Sequence, residues 1–110
     1  MKAKHGVSED LLNDVVHRVT EAVSPRRIIL FGSAAILDRG NPGDLDLLIV
    51  MPDGTHRRET AMVLHQKLAG LGVAKDIVVV TEKDLVEHGG NPSLVLFPAL
   101  REGRELYCAS

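Results

Sequence analysis

The run Leu47-Leu48-Ile49-Val50 has no polar face. Successive side chains of a β-strand point to opposite sides, so four apolar residues in a row need cover above and below the sheet. The run lies in LDLLIVM (45–51), which the turn PDG closes, and the chain carries two shorter segments of the same kind, RIILF (27–31) and KDIVVV (75–80). Helical patterns lie between and around them. In VSEDLLNDVVHRVTEAVSP (7–25), Leu11, Leu12, Val15, Val16, Val19 and Val23 recur at helical spacing; Ser8 can cap the start, and Ser24-Pro25 stops it. THRRETAMVLHQKLAGLG (55–72) places Ala61, Leu64, Leu68 and Leu71 on one stripe, with Gly70 or Gly72 at its end. Thr81-Glu82-Lys83-Asp84 reads as a capping box, with Asp in the usual place of Glu, opening a short helix to His88. Short helices are also expected at 33–37 and at 93–103, the latter with Pro98 inside it. The order α-β-(α)-β-α-β-α-α predicts an α/β domain with one small mixed sheet covered by helices. At 110 residues a single domain over 1–110 is expected.

Composition narrows the function classes. Aromatic residues are 3% of the chain and tryptophan is absent, which leaves little for a base-stacking surface. The formal net charge of −2 argues against a non-specific phosphate-backbone binder, so nucleic acid is not expected as a partner. The single cysteine, Cys108, has no internal disulfide partner, no signal peptide is seen, and the cytoplasm is the default expectation. No apolar run approaches the ~20 residues that span a bilayer.

Two strands built for burial begin with carboxylates. Asp44 and Asp46 stand two apart at the mouth of the second strand, the spacing that puts two side chains on one face. Asp76 heads the third strand. Turn chemistry alone accounts for an Asp after Asn41-Pro42-Gly43, and for a lone Asp76. The combination is harder to explain that way, because neighbouring carboxylates repel unless protonated or neutralised. A divalent cation is a strong neutraliser, and Mg²⁺ takes one or two carboxylates together with waters and phosphate oxygens. If the second and third strands are neighbours, three carboxylates suit a two-metal site for phosphoryl or nucleotidyl displacement, with Asp76 as base or metal ligand.

Gly32-Ser33 ends the first strand. Glycine allows a tight turn and close approach of a phosphate, and a helix start offers N–H groups and a favourable dipole; taken alone, the pair is explained more simply by a plain strand-to-helix turn with Ser33 as cap. There is no G-x-x-x-x-G-K-[ST] loop, no G-x-G-x-x-G, no H-E-x-x-H and no metal-ligand spacing among His5, His17, His56, His65 and His88. His17 and His65 are expected at the surface. Arg26, Arg27, Arg57 and Arg58 read as solvated charges, with Arg26 or Arg27 able to approach phosphates from the start of the first strand.

Gly32-Ser33, Asp44-x-Asp46 and Asp76, in this order, resemble the nucleotidyltransferase superfamily that includes DNA polymerase β, and within it the minimal nucleotidyltransferases often paired with a HEPN-domain toxin. The resemblance runs from about Arg27 to Tyr107. It implies a polymerase β palm-like fold and transfer of a nucleoside monophosphate, AMP from ATP or another nucleoside triphosphate, to an acceptor hydroxyl with Mg²⁺. It also implies that Asp44, Asp46 and Asp76 are the metal-binding and catalytic residues, and that Gly32 and Ser33 hold the phosphates. Where the family has Arg in a G-S-x-A-R-G run, this chain has Ile36-Leu37; either Arg39, three positions later, substitutes as the nucleotide-binding residue or the contact is absent, and Gly43 stands where Ser is common before the first Asp. In toxin-associated members the acceptor is a tyrosine of the HEPN partner. Three functions follow: an enzyme modifying a protein partner, an antitoxin that neutralises its partner by binding alone, or a transferase acting on a small molecule or an RNA end. Whether the assembly is a homo- or a hetero-oligomer stays open.

Overall fold

The computed structural model describes residues 9–31, 44–71, 74–88 and 103–109, with the backbone alone at 44, 74, 75 and 88. The order is α1 (Glu9–Ala22), β1 (Arg27–Phe31), β2 (Asp44–Met51), α2 (Arg57–Lys67), β3 (Ala74–Thr81), α3 (Glu82–His88) and β4 (Arg104–Cys108). The strands form one mixed sheet in the order β3-β2-β1-β4. β1 is antiparallel to both β2 and β4, while β2 and β3 run parallel, joined through α2. Parallel neighbours require such a crossover, because no tight turn can return the chain to the same end of the sheet.

The apolar run of β2 is buried as its composition demands: Leu47, Leu48, Ile49 and Val50 are at most 1% exposed. On one face of the sheet Ile28, Leu30, Leu45, Leu47, Ile49 and Met51 meet Leu12, Val15 and Val19 of α1, Leu64 of α2 and Leu68 just past the end of α2. On the other, Ile29, Leu48, Val50 and Val80 pack with Phe31, Val78 and Leu85 of α3. The two sets alternate along each strand, as the two-residue period requires.

Several local features follow the sequence. The capping box forms: the Thr81 N–H donates to Asp84 Oδ2 at 3.0 Å, and the Asp84 N–H donates to Thr81 Oγ1 at 3.2 Å. Helix α2 starts after His56, whose Nδ1 accepts from the Glu59 N–H at 3.3 Å. At its other end, Arg18 of α1 donates to the carbonyls of Lys67 at 3.2 Å and Ala69 at 3.1 Å, partnering groups that a helix end leaves free. Gly70, just past that end, has φ +87°, a conformation that glycine adopts without a Cβ penalty.

β4 departs from the sequence reading, which ended the chain with a helix over 93–103 and assigned no strand after it. Residues 104–108 pair with β1, and the register slips between Ile28 and Ile29, so that Leu106 has no direct partner. Leu106 and Tyr107 are therefore both half-buried against the α1 side of the core, which erases the alternation by which a strand is recognised. Arg104 ties this edge to the start of α1 by two bonds to Glu9, at 2.8 and 2.9 Å. That contact holds the Glu9 carboxyl below its ordinary range. The helix expected at 33–37 lies outside the described residues, as does the one expected at 93–103 in all but its last residue, Gly103.

Candidate active site

The site is set by register. Asp46 is paired with Asp76 across the parallel β2–β3 ladder and with Phe31 across the antiparallel β1–β2 ladder. In-register residues on neighbouring strands share a face and lie about 4.8 Å apart along the pairing direction. Phe31, Asp46 and Asp76 therefore form a row over three strands, on the face that also carries Ile29, Leu48, Val50 and Val80. Asp46 is half-buried, and Asp76, on the outer strand, is exposed.

Asp44 stands two places before Asp46 on β2, with its backbone opposite Ala74. Its side chain lies outside the described residues, as do Gly32, Ser33 and Arg39. Gly32 is covalently the next residue after Phe31, whose register partner on β2 is Asp46. Among the described residues no three His, Cys, Asp or Glu side chains gather in a metal-holding group; Asp46 and Asp76 are the two that the register brings together. Both offer hard oxygen donors, the type a hard divalent cation selects.

Arg26 and Arg27 are not brought to this row. Arg27 pairs with Val50 at the other end of β2, and its side chain bonds Glu105 at 2.6 Å. Arg26 bonds Glu82 at 3.3 Å, and Arg57 bonds Asp84 at 2.8 Å. These arginines lie toward the end of the sheet where α2 and α3 begin. Asp84 is held below its ordinary range first by the Thr81 N–H and then by Arg57. His17 is exposed and contacts Glu21 at 3.1 Å, His56 is the helix cap, and His65 is exposed; none of the three joins the row. Phe31 is the neighbour that sequence reading passed over. Its only signal was its place as the last apolar residue before Gly32.

A family model described as a nucleotidyltransferase domain matches residues 11–101. A chain in the crystal structure of a mutant of the toxin–antitoxin pair MntA–HpeT shares the fold. The superposition has a TM-score of 0.63 and covers 90% of this chain and 74% of that one, at 17% identity. No curated protein matches significantly. The family match spans the strands that bear Asp46 and Asp76 as well as the helices that cover them, and by it the chain belongs to the nucleotidyltransferase domain family.

Proposed function

We propose that the protein transfers a nucleoside monophosphate from a nucleoside triphosphate, with ATP as first candidate, to a hydroxyl group of a partner protein. The observation that carries this reading is the Asp46–Asp76 register on a sheet of nucleotidyltransferase fold. Two like charges side by side on adjacent strands cost stability, and a chain without a use for them gains nothing by holding them there.

In the reaction, the acceptor oxygen attacks the α-phosphorus and forms a new P–O bond. The α–β bridging bond breaks, and pyrophosphate leaves with its electron pair. The acceptor proton passes to the Asp76 carboxylate, which is exposed and can be reached by a second macromolecule. Mg²⁺, when held by Asp46 and Asp76 with Asp44, supplies charge neutralisation at the phosphates and acidifies the attacking hydroxyl. Asp46, half-buried beside Phe31, keeps a fixed position, because both neighbouring strands hold its backbone. Gly32 and Ser33 bind the β- and γ-phosphates in this scheme, and Arg39 adds a positive charge.

An acceptor within a partner protein agrees with the fold neighbour having been crystallised as a toxin–antitoxin pair, in a form with two aspartates, numbered two apart, changed to glutamate. A HEPN-domain toxin is the partner we assign. The test is to express the chain with such a partner, add Mg²⁺ and nucleoside triphosphates, and weigh the partner. The expected result is one added nucleoside monophosphate that disappears with Asp46→Asn, a loss on the order of 10³-fold or more in rate for removal of a group acting at the transition state. Neutralisation of the partner by Asp46→Asn with no mass change in either case would show a binding-only antitoxin instead.

A further inference from the structure

The two edges of the sheet are built differently. β4 has five residues, a register slip against β1, and charged Arg104 and Glu105. Shortness, bulging and charge are the means by which edge strands avoid pairing with other chains. β3 has none of them beyond its first residues: it has eight residues, an unbroken register with β2 from Ala74 to Thr81, and the run Ile77-Val78-Val79-Val80 without proline. Among the described residues, β2 is the one strand that pairs with it. Leu47, Leu48 and Ile49 of β2 are at most 1% exposed, whereas their register partners Ile77, Val78 and Val79 are only half-buried, and Asp76 is exposed.

We propose that this edge receives an extended segment of the protein partner as a fifth strand, and that strand addition delivers the acceptor hydroxyl to Asp76. The geometry argues for it directly. Asp46 is the in-register neighbour of Asp76 on one side. An added strand places a residue in the equivalent position on the other side, about 4.8 Å away and on the same face. A hydroxyl side chain at that position lies against the carboxylate that takes its proton as the oxygen bonds to the α-phosphorus and pyrophosphate departs. Main-chain hydrogen bonds along β3 supply affinity, and the required hydroxyl at one register position supplies specificity. An acceptor segment is favoured over a second copy of this chain, because the site calls for a hydroxyl beside Asp76 and β3 itself carries one only at its last residue, Thr81. The proposal rests on the nucleotidyl-transfer reading for the chemistry, though not for the docking.

The experiment uses the wild-type chain and two synthetic probes: the peptide Lys-Val-Lys-Val-Tyr-Val-Lys-Val, its analogue with Ser for Tyr, and copies of each with alternate backbone amides N-methylated in both phases. Without nucleotide, amide hydrogen exchange at alternate residues of β3 is expected to slow by about tenfold at saturating peptide, as outward amides become paired. One N-methylated phase should bind at least about tenfold more weakly than its parent, having lost several hydrogen bonds. With Mg²⁺ and ATP, the central hydroxyl should gain a nucleoside monophosphate, and the weaker-binding phase should gain less. No protection of β3 at millimolar peptide, equal binding of all N-methylated copies, or β3 protection that rises with protein concentration in the absence of peptide would each overturn the docking. Transfer without β3 protection overturns the docking and leaves nucleotidyl transfer standing. Protection without transfer supports the docking and counts against the catalytic reading.

Discussion

At the scale of single residues, the same side-chain type does opposite work in two places. Asp84 is surrounded by donors. Its carboxylate accepts from the Thr81 N–H and from Arg57, and its titration is pushed below the ordinary range, first by the former. A group whose folded pKa is depressed contributes stability that is fully present above its unfolded pKa, about 3.9, and that is lost as pH falls through the lower folded value. The Asp84→Asn variant keeps an oxygen for Thr81 but has no charge to lose. It should be about 1 kcal/mol less stable than wild type at neutral pH. That gap should close progressively below about pH 4, as read from urea unfolding across a pH series. Arg57 contributes little to the gap, since its side chain is 57% exposed and solvent screens it. Asp46 and Asp76 carry the same charge, and each is the other's register neighbour across the β2–β3 ladder.

At the scale of elements, legibility followed how local each cause was. The Thr81–Asp84 box was readable, because all its atoms lie within four residues. The stripe of α1 was readable too: Leu12, Val15 and Val19 are buried at the spacing a helix dictates. β4 was not, because its bulge puts Leu106 and Tyr107 in sequence where a regular strand alternates, and its partner β1 lies more than seventy residues away in the chain. The Asp46–Asp76 pairing was suggested by two similar strand starts, yet register is a property of the assembled sheet that neither strand carries alone. The cap of α2 lay between these cases. A histidine is an uncommon cap, and His56 fills the role only through a 3.3 Å acceptor contact at Nδ1. Aspartate at this place would accept the same N–H in a shorter reach and favour the positive helix end. His56→Asp is therefore expected to stabilise the protein by about 0.5–1 kcal/mol. His56→Leu, which leaves the Glu59 N–H without that acceptor, should cost about 1 kcal/mol. Thermal unfolding of the three forms at pH 7.5 measures both shifts.

For the whole molecule, the two faces of the sheet divide the labour. One face is closed by α1 and α2 over the larger core, and the other carries α3 toward one end and the row Phe31, Asp46, Asp76 toward the other. The larger core lies on the face opposite the row. The row works against the fold: in-register like charges on adjacent strands cost roughly 0.2–1 kcal/mol, and half-burial of Asp46 keeps solvent from screening them fully. A function that depends on neutralising this pair predicts a particular sign pattern. Without divalent metal, Asp76→Asn should be as stable as wild type or more stable by up to about 1 kcal/mol, since it removes one of two repelling charges. With millimolar Mg²⁺ or Mn²⁺ the order should reverse, because a cation that binds only the folded wild-type pair stabilises it by mass action, about 2.7 kcal/mol at a hundredfold excess over its dissociation constant. Differential scanning fluorimetry with and without metal reads the crossing directly and needs no knowledge of the acceptor. A wild-type transition that does not move with metal, together with an Asp76→Asn variant that is less stable under both conditions, would assign the pair a structural role and remove the physical ground for a metal at this row.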